Sequence, residues 1–380
     1  MRKAVPTGRP VPPMRALKAS LFLLPILSSA LLLTPLVAIS EDTRFPDERT
    51  DLSPKDRKRV ASVTRPTKDF SKAENFETMQ GGAATTKAIV NGDAFSHFSA
   101  NLTFAEEEEF KLGNALFRKL WVSSPSSTQA SDGLGPLFNA RACQSCHLKD
   151  GRGHPPEGAA DATSMFLRLA RPARTEEEKT LVAHHEALNF PDLTYGKQLQ
   201  DLAVPGLKSE GSMAISYEEV QVMLADGEVV SLRKPTYSVK DLNYGPLDPD
   251  VTLSPRIAPP MIGMGLIQAI HEADILANAD PDDEDGDGIS GKPALVRDHR
   301  TRELKLGRFG FKAQNASVRD QSASAFVGDL GISNPDAPFH HGDCTSAQTD
   351  CFARASGVQE RLGDTEAPDP VLELVTFYSE

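Results

Sequence analysis

Cys143 and Cys146 stand three positions apart and His147 follows at once, within GPLFNARACQSCHLKDGRGHPP (residues 135–156). Three chemistries could use such a cluster. A structural zinc site needs four ligands, and no second pair with zinc-like spacing accompanies this one. A thioredoxin-like dithiol sits at the end of a strand and opens a helix, and nothing before Cys143 resembles that strand. C-x-x-C followed directly by His is the attachment pattern for haem c. The spacing follows from the chemistry: the two thiols add across the haem vinyl groups and hold the adjacent imidazole beneath the iron. The motif predicts one covalent haem on Cys143 and Cys146, with His147 as proximal iron ligand.

Other residues are candidates for the rest of such a site. Met261 and Met264 lie in PPMIGMG (residues 259–265), where a thioether on the distal side would give a His/Met haem of raised potential. Met261 is the stronger of the two, and the competing reading is that both pack in a core. His154 lies too near the anchor to swing easily to the other haem face. His184, His185, His271, His299, His340 and His341 carry no motif that favours one of them. Arg141, Arg152 and Arg308 are candidate partners for haem propionates.

A second candidate site is DPDDEDGDGISG (residues 280–291). Asp283, Asp285 and Asp287 followed by Gly288 match the start of a calcium loop, in which alternating carboxylates converge on a hard cation. The twelfth position would be Ala294, which offers no carboxylate, so the match is partial. Cys344 and Cys351 enclose six residues, and in an oxidising compartment a disulfide there would stabilise by about 2 kcal/mol.

The elements that must position these residues are legible in outline. TFAEEEEFKLGNALFRKLW (residues 103–121) reads as an amphipathic helix with Thr103 as N-cap and acids in its first turn. Residues 214–239 read as strands around an Asp226-Gly227 hairpin turn. Residues 258–280 return to helical periodicity, and Pro370 opens a last apolar helical run. The expected fold is a mainly α cytochrome-c-like domain with a β-rich insert, α+β overall. Expected boundaries are a signal peptide over 1–40, an extended arm over 41–80 and the first part of the haem domain over 81–170. A β-rich insert over 171–255 and a helical remainder over 256–380 follow.

Five basic residues precede an apolar run from Leu21 to Val37, and Ala38 and Ser40 suit a signal-peptidase site. The reading is export to the periplasm with cleavage after Ser40; an uncleaved membrane anchor is the alternative. The whole chain of 380 residues carries a formal charge of −12. Without residues 1–40 it has 36 basic and 53 acidic groups, a charge of −17. That excess argues against nucleic acid as a partner and suits a redox partner protein such as another cytochrome.

Taken as an ordered set, the stretch from Lys111 to Pro156, RIAPPMIGMGLIQAI, DPDDEDGDGISG, GRFGFKAQNASV and the Cys344 to Cys351 segment resemble one family. It is that of exported di-haem oxidoreductases, also called thiol oxidoreductases, related to di-haem cytochrome c peroxidases and MauG. The resemblance covers nearly all of residues 75–380. It implies thiol oxidation or peroxide reduction, and a second C-x-x-C-H toward the C-terminus, which this sequence lacks. The reading from that departure is a chain truncated before a second haem domain. The expected function is electron transfer through the single haem; the alternative is a non-catalytic haem- or calcium-stabilised binding protein.

Overall fold

The computed structural model describes residues 45–46, 48–87, 89–156 and 163–380. The expected signal peptide and its apolar run lie outside the described residues. Among the described residues, no helix is long and apolar enough to cross a membrane.

In chain order the α-helices are α1 (Pro54–Val63), α2 (Phe104–Arg118), α3 (Cys143–Cys146), α4 (Glu176–Ala183), α5 (Met264–Gln268), α6 (Glu272–Leu276), α7 (Val318–Leu330), α8 (Thr349–Phe352) and α9 (Asp369–Ser379). The strands form two-stranded sheets. The parallel pair is β1 (Val122–Ser123) with β2 (Asp132–Leu134). The antiparallel pairs are β3 (Leu137–Phe138) with β5 (Leu202–Ala203), β4 (Met165–Ala170) with β8 (Thr252–Ile257), β6 (Ser212–Met223) with β7 (Val229–Lys240), and β9 (Leu295–Arg297) with β10 (Leu304–Leu306).

This corrects the expected fold class. Among the described residues, 26% are helical and 19% strand, with small sheets distributed along them, so the fold is not clearly mainly α. Within the helical remainder expected over 256–380, residues 258–280 show why the helix content is lower. There Pro259 and Pro260 remove backbone donors, Gly263 turns left-handed (φ 76°), and His271 caps a fresh start, leaving only the five-residue α5 and α6.

Helix α2 begins as a capping box: the Thr103 side chain accepts from Glu106 N, and the Glu106 carboxylate accepts from Thr103 N. Its apolar face packs on α9, where Leu372, Val375 and Tyr378 are buried. Full burial of a Leu or Val contributes about 1.5–3 kcal/mol, against a few tenths from helix propensity, so packing holds this pair. The principal core adds Trp121, Leu134, Phe138, Cys146, Phe326 and Leu330. A second core, around Leu167, Leu169, Tyr195 and Leu199, supports the base of the β6–β7 hairpin through Met213, Tyr237 and Val239.

Two close approaches depend on glycine. Gly135 N–H donates to Leu330 O (3.0 Å), where Gly331 is left-handed (φ 67°), so the buried segment 132–140 lies directly on the end of α7. At the α2–α9 crossing, a Cβ on Gly113 would overlap the Leu374 carbonyl and stand 2.6 Å from Tyr378 Cβ. We therefore expect Gly113→Ala to lower stability by about 1–3 kcal/mol in urea denaturation. A loss under about 0.5 kcal/mol, the range of an ordinary surface change, would mean that the helices do not approach this closely.

Candidate functional site

Helix α3 is a single turn entered from extended backbone at Ala142. His147 follows as its C-cap, its N–H donating to Cys143 O (3.1 Å). The chain then bends sharply, with Lys149 (φ 52°) and Asp150 (φ 62°) both left-handed, which costs about 1–2 kcal/mol per residue. Anchors at Asp150 offset that cost. Its carbonyl accepts from Met261 N–H (2.9 Å), and its buried carboxylate accepts from the Ser96 hydroxyl.

The imidazole of His147 is oriented from behind. Its Nδ1 lies 2.8 Å from the Pro259 carbonyl. A carbonyl only accepts, so Nδ1 carries the proton and Nε2 is left with a free lone pair. Burial lowers the pKa of His147, against opposing contributions from the Pro259 bond, Asp329 and Asp150, so the neutral ring is favoured. The Phe117 ring stands 6.1 Å away.

Cys143 and Cys146 are both free thiols, not bonded to each other. The Cys146 thiol points at Thr163 O (2.9 Å). Burial pushes each thiol up to about 12, and the carboxylate of Asp329 acts in the same direction. The cluster thus offers two unspent sulfurs on one helical turn and one oriented imidazole nitrogen, a donor set that fits covalent haem attachment.

A buried polar hub fixes the approach to this turn. Asn139, four residues before Cys143, donates its amide to Leu199 O (2.8 Å) and Asp201 (2.9 Å). Gln198 donates to Asn139 Oδ1 (2.6 Å) and to Asp329 (2.9 Å). The backbone N–H groups of Asn139 and Ala140 both donate to Asp329 O. Burial raises Asp201 to about 6 and also raises Asp329. None of these residues belongs to a recognisable motif; the signal available in the sequence was an uncharged amide in an otherwise apolar run.

The distal and propionate candidates fare differently. Met261 packs against the principal core, two residues after the carbonyl that accepts from His147 and tied through its N–H to Asp150. Its backbone is thus tied to the segment that carries His147. Met264 opens α5. His271 caps α6, His299 Nδ1 is 3.9 Å from Asp320, and His340 bonds Ser333. Arg308 donates to the carbonyls of Ile267 and Ile270, Arg152 is exposed, and Arg141 donates to Trp121 O (3.0 Å). Sequence reasoning missed Lys119. Its ammonium lies 3.6 Å over the Trp121 ring, has no carboxylate partner among the described residues, and is pushed down to about 8 by burial.

In the acidic loop the carboxylates that converge, with oxygens within 4.8 Å of one another, are those of Asp280, Asp283 and Asp285. Asp287 is outside this group; its carboxylate accepts from Ile289 N–H (2.8 Å). The sulfurs of Cys344 and Cys351 are within bonding distance, with the Cα atoms 6.5 Å apart.

No curated protein and no solved structure matches the chain. A family model does: the one described as "di-haem oxidoreductase, putative peroxidase", over residues 75–380. That match spans both cores and the whole Cys143 to His147 cluster, and with it the chain belongs to the di-haem oxidoreductase family, whose cofactor is haem.

Proposed function

We propose that this protein is an exported c-type haem protein that transfers electrons through one haem, bound by Cys143 and Cys146 as thioethers and by His147 Nε2 as proximal iron ligand. The observation that supports this reading is the Nδ1 to Pro259 bond, which leaves Nε2 with its lone pair beside two free thiols. The rival uses of the same residues are less well supported. Among the described residues, the metal-ligand atoms that converge are those of Asp280, Asp283 and Asp285, with Cys143, Cys146 and His147 not among them, which disfavours zinc. A redox-active dithiol needs a thiol of lowered pKa, whereas both of these are raised.

When bound, the haem supplies one-electron exchange at iron. The chain's own contributions are specific. His147 donates the lone pair, and Pro259 fixes its tautomer and raises its basicity. Phe117, Phe138 and Phe326 exclude water around the motif. Lys119, a desolvated cation on Trp121, offers a counter-charge to a propionate. Periplasmic location, a disulfide between Cys344 and Cys351, calcium at the acidic loop and a cytochrome as redox partner belong to the same proposal.

Three outcomes follow. Expressed with export and haem-attachment machinery, the protein should give a pyridine haemochrome spectrum of one c-type haem per chain, lost in Cys143→Ala plus Cys146→Ala; an unchanged spectrum in that double variant would sink the assignment. In the haem-free chain the Cys146 thiol should react with iodoacetamide at pH 8 at least ~100-fold more slowly than in urea, since a pKa near 12 leaves almost no thiolate, and equal rates would contradict its burial. Saturating calcium, at ~100 times its Kd, should stabilise by about 2.7 kcal/mol in thermal unfolding, and Asp283→Asn should abolish the gain. No shift in the wild type would remove calcium from the proposal.

A further inference from the structure

His340 lies outside the haem reading, yet its ring is held as deliberately as that of His147. Its Nδ1 is 3.1 Å from Ser333 Oγ. That hydroxyl donates its only proton to Glu366 Oε2 (2.7 Å) and accepts from Glu366 N–H (3.1 Å). Its remaining lone pair can only accept, so His340 Nδ1 must be the donor. Glu366 reinforces the arrangement, because Ser333 N–H (2.9 Å), Ser356 Oγ (3.0 Å) and Gly357 N–H (3.1 Å) complete its set of donors. In the neutral ring, Nε2 is consequently the bare nitrogen. It has no partner among the described residues and is not sealed from solvent.

The ring of His340 lines a cavity of about 190 Å³, together with Ser123, Pro136, Val204, Arg354 and Glu366. The guanidinium of Arg354 is held by two carbonyls, Pro205 O (3.4 Å) and Gly206 O (2.5 Å), and by no carboxylate among the described residues. Its Nε–H is buried and has no acceptor among the described residues. The Ser123 hydroxyl makes no hydrogen bond among the described residues, while the Glu366 oxygens are turned away into their own donors. The lining therefore offers, first, a cation and a hydroxyl and, second, an acceptor whose tautomer is fixed. A simple anion would use the first and leave the second idle. Few polar groups that converge in a small cavity are what a specific small-molecule site requires.

We propose that this cavity binds a small 2-hydroxycarboxylate, with its carboxylate on Arg354 and Ser123 and its hydroxyl donating to His340 Nε2. The site does not depend on the haem assignment. The test is calorimetric titration of the full-length protein with glycolate and, separately, with acetate. Glycolate should saturate and bind at least ~10-fold more tightly than acetate, the effect of one well-made hydrogen bond in a buried site. Arg354→Met should weaken both ligands. Ser333→Ala, which frees the tautomer, should erase the preference for glycolate. Equal binding of the two acids, or binding of neither, overturns the proposal. A measurement on the wild type alone guards against a Ser333→Ala variant that fails to fold. In ¹⁵N spectra of histidine-labelled protein, His340 should carry its proton on Nδ1 and shift on adding glycolate, and a proton on Nε2 would refute the assignment.

Discussion

The site depends on one hydrogen bond, from His147 Nδ1 to the carbonyl of Pro259, across 112 residues of chain. It decides which imidazole nitrogen is protonated and in which direction the other one points. Everything near it serves to keep that carbonyl in place. Pro259 is followed within two residues by Met261, whose N–H holds Asp150 O, so donor and acceptor segments are tied together twice. Without this clamp His147 would be one more partly buried histidine after a short turn. With it, Nδ1 carries the proton and Nε2 is the nitrogen left with a lone pair.

The clamp stands on two costly features that the fold offsets. Left-handed Lys149 and Asp150 are tolerated because Asp150 is anchored at both its carbonyl and its carboxylate. Half-buried Asp329 sits beside both thiols and the imidazole, and its desolvation is relieved by the field of Arg168 and by Gln198. The same carboxylate raises the thiols and opposes the lowering at His147, which links the polar hub to the chemistry of the cluster. The α2–α9 crossing at Gly113 then closes one side of the core, with Phe117 and Tyr378 in contact across it (5.2 Å between ring centroids).

Local signals were legible in the sequence; long-range partners were not. The Thr103 cap with Glu106, the turn at Asp226-Gly227 between β6 and β7, and the run opened by Pro370 all report short-range chemistry, and each element is where its residues say. The Pro259 carbonyl could not be read, because a backbone acceptor has no side-chain signature. Lys119 looked like the end of an ordinary amphipathic helix until Trp121 was seen beneath it. In the acidic loop, alternation suggested Asp283, Asp285 and Asp287. Left-handed Asp283, Gly286 and Gly288 instead curl the chain so that Asp280 joins the first two and Asp287 caps the turn. The helical content was overestimated for a similar reason: apolar spacing near 3.6 persists through residues 258–280, but prolines and a left-handed glycine interrupt the hydrogen-bond ladder that the spacing presupposes.

The most direct test of the account is an anomalous difference map, collected at the iron absorption edge, from crystals of the exported protein. The account predicts an iron peak at bonding distance from His147 Nε2, thioether density at Cys143 and Cys146, and Pro259 O still in contact with Nδ1. A Cys143–Cys146 disulfide, or a metal shared among the two thiols and His147 with no porphyrin density, would contradict it.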